Sequence, residues 1–272
     1  MRCFSFAGGC LPLGEKTYIM GILNVTPDSF YDGGRYSDPA AAVKKALSLA
    51  EEGADILDLG AVSTRPGGER ADEATELMRL KNVLPVVRRL TDLPISVDTY
   101  RPAVARFCLE NGANIINDVS GVFDPAMAEV IRAYGAGWVV MHAGMPGART
   151  ETVLSYPGGV VNHVRSFFIE TAKAAAAFGI PAENLCFDPG FGFAKTEAQN
   201  LELLGLLPLL KNNAPLLVGL SRKRFARLLA KGDGDGDTLL STLLLDRTAA
   251  ACGADILRVH DVKAHRDMLN NS

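Results

Sequence analysis

The stretch Gly53-Ala54-Asp55-Ile56-Leu57-Asp58-Leu59-Gly60 joins the end of a helical pattern to a short apolar run of strand length. Similar joints occur at Gly112-Ala113, Gly135-Ala136 and Gly253-Ala254, each after another helical pattern. Glycine is common just after a helix because it adopts the left-handed backbone conformation without steric cost. A helix-to-strand joint that recurs along a chain predicts consecutive βα units and hence a parallel sheet.

Eight apolar runs of strand length end at polar residues, and the chemistry of these residues differs from run to run. The runs end at Asn24, Asp58 with Gly60, Asp98, Asn117 with Asp118, His142, Asp188, Ser221 with Arg222 and Lys223, and Arg258 with His260. Parallel α/β proteins bind their ligands at the carboxyl ends of the strands. We therefore expect most of the reactive side chains to face one shared opening.

The segments between these runs show helical periodicity and helix-capping residues. Asp38 followed by Pro39 is typical of a helix start, and residues 41–52 are rich in helix formers. Further helices are predicted over 73–90, 101–111, 125–134, 160–178, 197–211 and 239–252, with a turn over 232–237. Eight strands and about eight helices predict a single-domain (β/α)8 TIM barrel over residues 1–272, in which residues 1–17 form an N-terminal extension or cap.

The composition favours a small-molecule partner over nucleic acid or a membrane. The formal net charge is −3, and acidic and basic residues are mixed without a basic stripe. The five cysteines are scattered without Cys-x-x-Cys spacing, which is typical of reduced thiols. Gly8 and Gly9 interrupt the first apolar residues well short of a signal-peptide core or a membrane span. These features predict a cytoplasmic protein.

Two carboxylates follow buried strands directly. Asp98 and Asp188 each end an apolar run, and a buried carboxylate needs a hydrogen-bond donor or a cation as partner. One interpretation is a salt bridge to a lysine or arginine at the strand ends. The other is that these carboxylates and Asn117 bind a ligand rich in N–H donors, such as the edge of a pterin or a purine. The residues alone favour neither.

Cations cluster at the ends of the last two runs. Lys223, Arg258 and His260 lie where many barrels bind phosphate, although a solvated charge pair is the simpler interpretation. Arg65 adds a cation on the long connection after the second run. Together with Asn24, these side chains suggest an anionic substrate group that carries Mg²⁺.

Five motifs, in this order along the chain, resemble those of the dihydropteroate synthase family. They are Met20-Gly21-Ile22-Leu23-Asn24-Val25-Thr26-Pro27-Asp28-Ser29-Phe30 with Asp32-Gly33-Gly34, Ser63-Thr64-Arg65-Pro66-Gly67, Asp188-Pro189-Gly190-Phe191-Gly192-Phe193, Leu220-Ser221-Arg222-Lys223 and Arg258-Val259-His260-Asp261. The resemblance extends from about Leu13 to Leu269. It implies a TIM-barrel transferase of folate biosynthesis that condenses 6-hydroxymethyl-7,8-dihydropterin diphosphate with 4-aminobenzoate, giving 7,8-dihydropteroate and diphosphate.

The resemblance also implies roles for individual residues. It assigns the pterin to Asp98, Asn117, Asp188 and Lys223; the diphosphate to Thr64, Arg65, Arg258 and His260; aminobenzoate to Thr64, Pro66, Phe193, Ser221 and Lys223; catalysis to Asp98, Lys223 and Arg65; and Mg²⁺ to Asn24. The connections after the first two runs would close over the site. A homodimer formed through the last helices, and inhibition by sulfonamides, are implied as well. The Leu239, Leu240, Leu243, Leu244 and Leu245 group is compatible with either a dimer face or barrel packing.

Two departures from the family pattern leave alternative functions open. Val62 stands where the family usually has a loop acid, and residues 141–146 lack the arginine that usually follows this run. A pterin-binding paralogue without turnover is therefore one alternative. A pterin-dependent methyltransferase is a separate alternative, since such an enzyme has the same barrel and a similar pterin floor, although it has no use for cations that gather a diphosphate.

Overall fold

A two-stranded hairpin precedes eight further strands and the helices between them. The computed structural model describes residues 2–25, 39–62, 71–145, 153–211, 214–223, 226 and 235–271. The strands are β1 (Cys3–Phe6), β2 (Gly9–Pro12), β3 (Tyr18–Asn24), β4 (Ile56–Gly60), β5 (Ile95–Asp98), β6 (Ile115–Asp118), β7 (Gly137–Met141), β8 (Leu185–Asp188), β9 (Leu217–Val218) and β10 (Ile256–Val259). The helices are α1 (Pro39–Glu51), α2 (Glu73–Leu90), α3 (Pro102–Glu110), α4 (Pro125–Tyr134), α5 (Val160–Ala177), α6 (Glu197–Gly205), α7 (Leu207–Leu210), α8 (Asp235–Ala251) and α9 (Val262–Asn270).

The eight strands β3–β10 form one parallel sheet that closes into a barrel. Their order is β8-β7-β6-β5-β4-β3-β10-β9, and every neighbouring pair is parallel. The two ends of this order meet where Phe187 bridges Leu216, and the Phe187 amide donates to the Pro215 carbonyl at 3.0 Å. The predicted (β/α)8 barrel is confirmed.

Local signals placed most helix boundaries correctly. Gly53, Gly112 and Gly253 have φ values of 98°, 96° and 94°, as expected for glycines that end helices. The predictions for α2 and α4 match to the residue. In the described part of the chain, no helix is long and apolar enough to cross a membrane.

Two predicted segments differ from the structure. The helix predicted over 197–211 is two helices, because Leu206 leaves the helical conformation with φ at −109° and Pro208 cannot donate a backbone hydrogen bond. The turn predicted over 232–237 overlaps the start of α8, since Asp235 already begins that helix. The remainder of that turn lies outside the described residues.

The hairpin closes the end of the barrel where the strands begin. Phe4 is fully buried among side chains that lie near the strand starts: Met20, Ile56, Ile115, Val139, Cys186, Leu217 and Ile256. The fit is close, because a Cβ atom on Gly137 would lie only 2.8 Å from the Phe4 ring. In the described part of the chain, the hairpin therefore covers this end of the barrel, opposite the end where the strands finish.

The Phe4→Ala variant should be strongly destabilised. We expect a loss of about 3–5 kcal/mol in the free energy of unfolding, because the substitution leaves a cavity in a close-packed core. Denaturant unfolding followed by circular dichroism measures it. Leu209, 58% exposed, supplies the control, and Leu209→Ala should change stability by less than about 0.5 kcal/mol. Equal stability of the two variants would show that the hairpin contributes little to the barrel.

Candidate active site

Polar side chains from neighbouring strands lie at the same level of the barrel. Strand register aligns Asn24 with Gly60, Gly60 with Asp98, and Asp98 with Asn117. Gly60 leaves room between its neighbours: a Cβ atom there would lie 3.6 Å from the Asn24 Oδ1 and 3.9 Å from an Asp98 carboxylate oxygen. The predicted grouping of these side chains is therefore found. Thr64, Arg65 and Pro66 lie outside the described residues.

Arg258 bridges two carboxylates across the mouth of the barrel, which is the end where strands β3–β10 finish. Its Nε donates to Asp58 Oδ2 at 2.6 Å, and its Nη2 donates to Asp98 Oδ2 at 2.9 Å. The Asn117 amide also donates to Asp58 Oδ2, at 3.3 Å. The sequence had left Asp58 without a role, although it lies five residues after Gly53, just as Arg258 lies five residues after Gly253. This shared spacing was the signal in the sequence that could have placed Asp58 at the same level of the barrel as Arg258.

The environment around Arg258 also shifts the pKa of Asp98. Burial raises the pKa of Asp98 to about 7, while the Arg258 guanidinium favours the carboxylate and opposes that rise. Asp98 can therefore change charge near neutral pH.

Two buried acceptor atoms of the residues beside Arg258 have no partner among the described residues. They are the Oδ1 atoms of Asp58 and Asn117. An unsatisfied buried acceptor is costly, by roughly 1–3 kcal/mol, so each would gain from an N–H donor supplied by a ligand. The inner part of the mouth is therefore suited to a ring that carries N–H groups.

Asp188 and Lys223 form a second charged group beside the first. The Gly190 amide donates to Asp188 Oδ1 at 2.7 Å, and the Lys223 Nζ donates to the Phe191 carbonyl at 2.6 Å. Burial raises the pKa of Asp188, and the nearby Lys223 charge opposes this change. Burial also disfavours the charged form of Lys223, and it lowers the pKa of this lysine to about 8. A buried acceptor and a partly buried donor therefore lie on the same side of the mouth.

Phe193 packs under the lysine. The Lys223 Nζ lies 5.0 Å from the centre of the Phe193 ring, and the ring itself is largely buried. A Cβ atom on Gly219 would lie 3.9 Å from the Lys223 Nζ and 3.8 Å from the Arg258 Cβ. The two cations therefore flank Gly219, and both charged groups belong to one site.

Ser221 and His260 meet where β9 and β10 end. The Ser221 Oγ lies 3.0 Å from the His260 Nδ1 and accepts from the His260 amide at 3.2 Å. Strand β9 ends at Val218, earlier than predicted. The chain then turns, and the Lys223 amide donates to the Leu220 carbonyl at 3.2 Å. This turn brings the predicted diphosphate and aminobenzoate residues together.

Lys195 is a further buried cation next to Asp188 that the sequence prediction missed. Its Nζ donates to the carbonyls of His142, Gly190 and Phe193 at 3.2, 3.0 and 3.0 Å. Its position two residues after the Asp188–Phe193 motif was the only signal in the sequence.

Comparison with known proteins identifies the family of the chain. A family model described as pterin binding enzyme matches residues 20–260, which include every strand of the barrel except the first residues of β3. The chain belongs to the pterin-binding enzyme family.

Relatives within the pterin-binding enzyme family share both sequence and architecture with the chain. A dihydropteroate synthase from Mycobacterium leprae is 44% identical over 261 residues, covering 92% of this chain and 90% of that protein. A dihydropteroate synthase from Xanthomonas albilineans, solved with 4-aminobenzoic acid, superposes with a TM-score of 0.90 at 40% identity, covering 99% of this chain and 96% of the other. The Yersinia pestis enzyme, solved with a sulfonamide drug, gives 0.89 at 33% identity, covering 99% and 97%.

Replacing Arg258 with Gln should destabilise the protein more as the pH rises. The pKa of Asp98 in the folded protein, about 7, exceeds the value of roughly 4 for an unfolded chain. The folded state therefore holds this proton more tightly, and it loses stability as the pH rises between these two values. Without Arg258 the folded-state pKa rises further. We therefore expect the loss relative to wild type to stay constant below about pH 7, where Asp98 is protonated in both folded proteins. Above about pH 7 it should grow, towards about 3–5 kcal/mol.

Urea unfolding at several pH values measures this effect. Lys263 supplies the control, because it pairs with Asp267 on the surface and is 70% exposed. Lys263→Gln should change stability by less than about 1 kcal/mol at every pH. A pH-independent loss in Arg258→Gln would contradict the proposed coupling between Arg258 and Asp98.

Proposed function

We propose that the protein is a dihydropteroate synthase, a transferase of folate biosynthesis that joins 6-hydroxymethyl-7,8-dihydropterin diphosphate to 4-aminobenzoate. The observation that carries this proposal is the buried carboxylate of Asp188 with the partly buried ammonium group of Lys223 close enough to affect its charge, beside the Arg258 salt bridges. A pterin edge presents N–H donors next to ring acceptors, and this pair offers an acceptor next to a donor. The relatives named dihydropteroate synthase support the same activity.

Asp188, Asn117 and Lys223 would bind the pterin. The Asp188 carboxylate would accept from the amino-pyrimidine N–H groups, and Lys223 would donate to the ring oxygen and nitrogen. The Asn117 Oδ1, which lacks a partner among the described residues, would accept a further N–H. A different ring would leave these buried groups unpaired, and this cost would provide the selectivity.

Arg258 and His260 would bind the diphosphate at the outer side of the mouth. Arg258 uses Nε and Nη2 for the carboxylates, which leaves Nη1 without a partner among the described residues. His260 lies next to Ser221 at the ends of β9 and β10. On sequence alone, Thr64 and Arg65 would complete this part of the site.

The side-chain oxygen atoms of Asn24 and Asp98 next to Gly60 are of the kind that binds a hard cation such as Mg²⁺. Asn24 Oδ1 and an Asp98 oxygen flank the space that a side chain on Gly60 would fill. No group of three acidic, histidine or cysteine side chains converges in the described part of the chain. Magnesium in proteins commonly uses one or two protein oxygens together with substrate phosphates. Asn24 would hold the ion, which when bound supplies positive charge to the diphosphate.

The reaction would begin with the bond between the pterin methylene carbon and the diphosphate oxygen. As this bond breaks, positive charge develops on the pterin and negative charge on the leaving group. Asp98 would stabilise the first and Arg258 the second, and both are held in place before substrate binds. The aniline nitrogen then bonds to the methylene carbon and loses a proton. Phe193 and Ser221 would hold aminobenzoate near Lys223, with Pro66 proposed from sequence alone.

We also propose a homodimer and inhibition by sulfonamides. Leu240 and Leu244 lie one helical turn apart on α8 and are 59% and 58% exposed, whereas Leu245 is buried in the barrel core. The leucine group therefore divides between an outward face and barrel packing, and the outward pair supports a partner surface. The Yersinia pestis enzyme with its sulfonamide drug supports the inhibition.

Release of diphosphate in the presence of both substrates and Mg²⁺ tests the proposed activity. We expect release only when aminobenzoate is present. Asp188→Asn should lower kcat/KM about 10- to 100-fold, because a charged acceptor for the pterin is lost. Asp267→Asn, at a surface position, should have no effect. Pterin diphosphate binding without product, measured by calorimetry on folded protein, would instead support the non-catalytic paralogue.

Asn24→Ala should raise the Mg²⁺ concentration needed for half-maximal activity. We expect an increase of at least about tenfold, because the substitution removes an oxygen ligand from the ion. A magnesium titration at saturating substrates measures this change. Asn162→Ala, an exposed change in α5, is the control and should leave the titration unaltered. An unchanged requirement in Asn24→Ala would remove Asn24 from the metal site.

A further inference from the structure

Lys195 is a buried lysine whose ammonium group faces three backbone carbonyls. The side chain is 5% exposed, and its Nζ lies 3.0–3.2 Å from the carbonyl oxygens of His142, Gly190 and Phe193. Three carbonyls require three N–H donors, and only the charged ammonium form of lysine has three. The positive charge also offsets the repulsion among three carbonyl dipoles that point at one another. Burial lowers the pKa of Lys195, while the Asp188 carboxylate opposes that change.

These three carbonyls come from two different barrel segments. His142 follows β7, whereas Gly190 and Phe193 belong to the loop of residues 189–195 that follows β8. The two segments touch closely, since a Cβ atom on Gly190 would lie 2.1 Å from the His142 carbonyl oxygen. The hydrogen bonds of Lys195 therefore connect the 189–195 loop to the end of β7.

The conformation of the 189–195 loop is unusual and needs such support. Gly190, Gly192 and Ala194 have φ values of 67°, 78° and 53°. The left-handed region is unfavourable for alanine, and such residues persist where their surroundings hold them. The Tyr156 hydroxyl donates to the Ala194 carbonyl at 3.1 Å, and the Lys223 Nζ donates to the Phe191 carbonyl. Lys195 holds the two carbonyls on either side of Phe191.

We infer that Lys195 is a positioning residue that sets the place of Phe193 in the aminobenzoate part of the site. Phe193 contributes its carbonyl to Lys195 and its ring to the contact with the Lys223 ammonium. Lys195 does not have to touch a substrate for this role. The inference rests on the proposed synthase function, and it extends that function to a residue behind the binding surface.

Steady-state kinetics of Lys195→Ala separate positioning from a general loss of structure. We expect the KM for aminobenzoate to rise about tenfold, because the Phe193 surface is no longer held in place. The kcat should change less than about threefold, since the groups that act on the diphosphate are unaltered. The KM for pterin diphosphate should also change less than about threefold, because Lys223 still neighbours Asp188.

Chemical rescue tests the role of the charge. Propylammonium resembles the part of the side chain that Lys195→Ala removes, and adding it should lower the raised KM. Propanol has a similar size but no charge, so it should not. Lys195→Arg retains a cation and should give a KM between those of the wild type and Lys195→Ala. If Lys195→Ala does not unfold cooperatively, Lys195→Arg and Lys195→Met provide the same comparison.

Lys173→Ala provides the matched control. Lys173 lies on α5 and pairs with Glu170 on the surface, so its loss should leave all kinetic constants unchanged. Equal KM values for wild type and Lys195→Ala, or a fall in kcat alone, would overturn the role of Lys195. An inactive wild-type protein would instead overturn the proposed function, and the inference with it.

Discussion

The guanidinium group of Arg258 is the interaction on which the arrangement of the mouth depends. It joins β10 to Asp58 on β4 and to Asp98 on β5, partners that lie 200 and 160 residues away in sequence. Such contacts require the last strand of the barrel, β10, to lie beside its first strand, β3. Two carboxylates at this depth require a cation between them, since an unpaired buried charge is costly. Closure of the fold and assembly of the site are therefore linked by one side chain.

The sequence predicted those features of the fold that depend on local signals. Glycines such as Gly53 ended helices where expected, and α2 and α4 were located to the residue. The helix predicted over 197–211 failed because the pattern of apolar residues continued through Leu206 and Pro208. Periodicity reports which face of a segment is apolar, and it does not report a local break in the backbone.

The residues of the site were predictable, whereas their partners were not. Asp98 and Arg258 were both expected at the mouth, but their pairing depends on side-chain direction and on the register of strands far apart in sequence. Of the two interpretations offered for Asp98, the salt bridge is what the structure contains. For Asp188, the neighbouring Lys223 and the Gly190 amide allow both interpretations together. The resemblance to a known family predicted which ligand binds, whereas only the structure revealed the charges and hydrogen bonds around each site residue.

The N-terminal hairpin has a consequence for how this chain reaches its folded state. Phe4 and Ile256 belong to the same buried cluster, so this cluster is complete only after β10 has been made. During synthesis on the ribosome, the hairpin therefore emerges long before its binding surface exists. Contacts of such long sequence separation slow folding and prolong the exposure of apolar surface. Phe4 and Phe6 therefore lack their complete set of packing partners until β10 has been made.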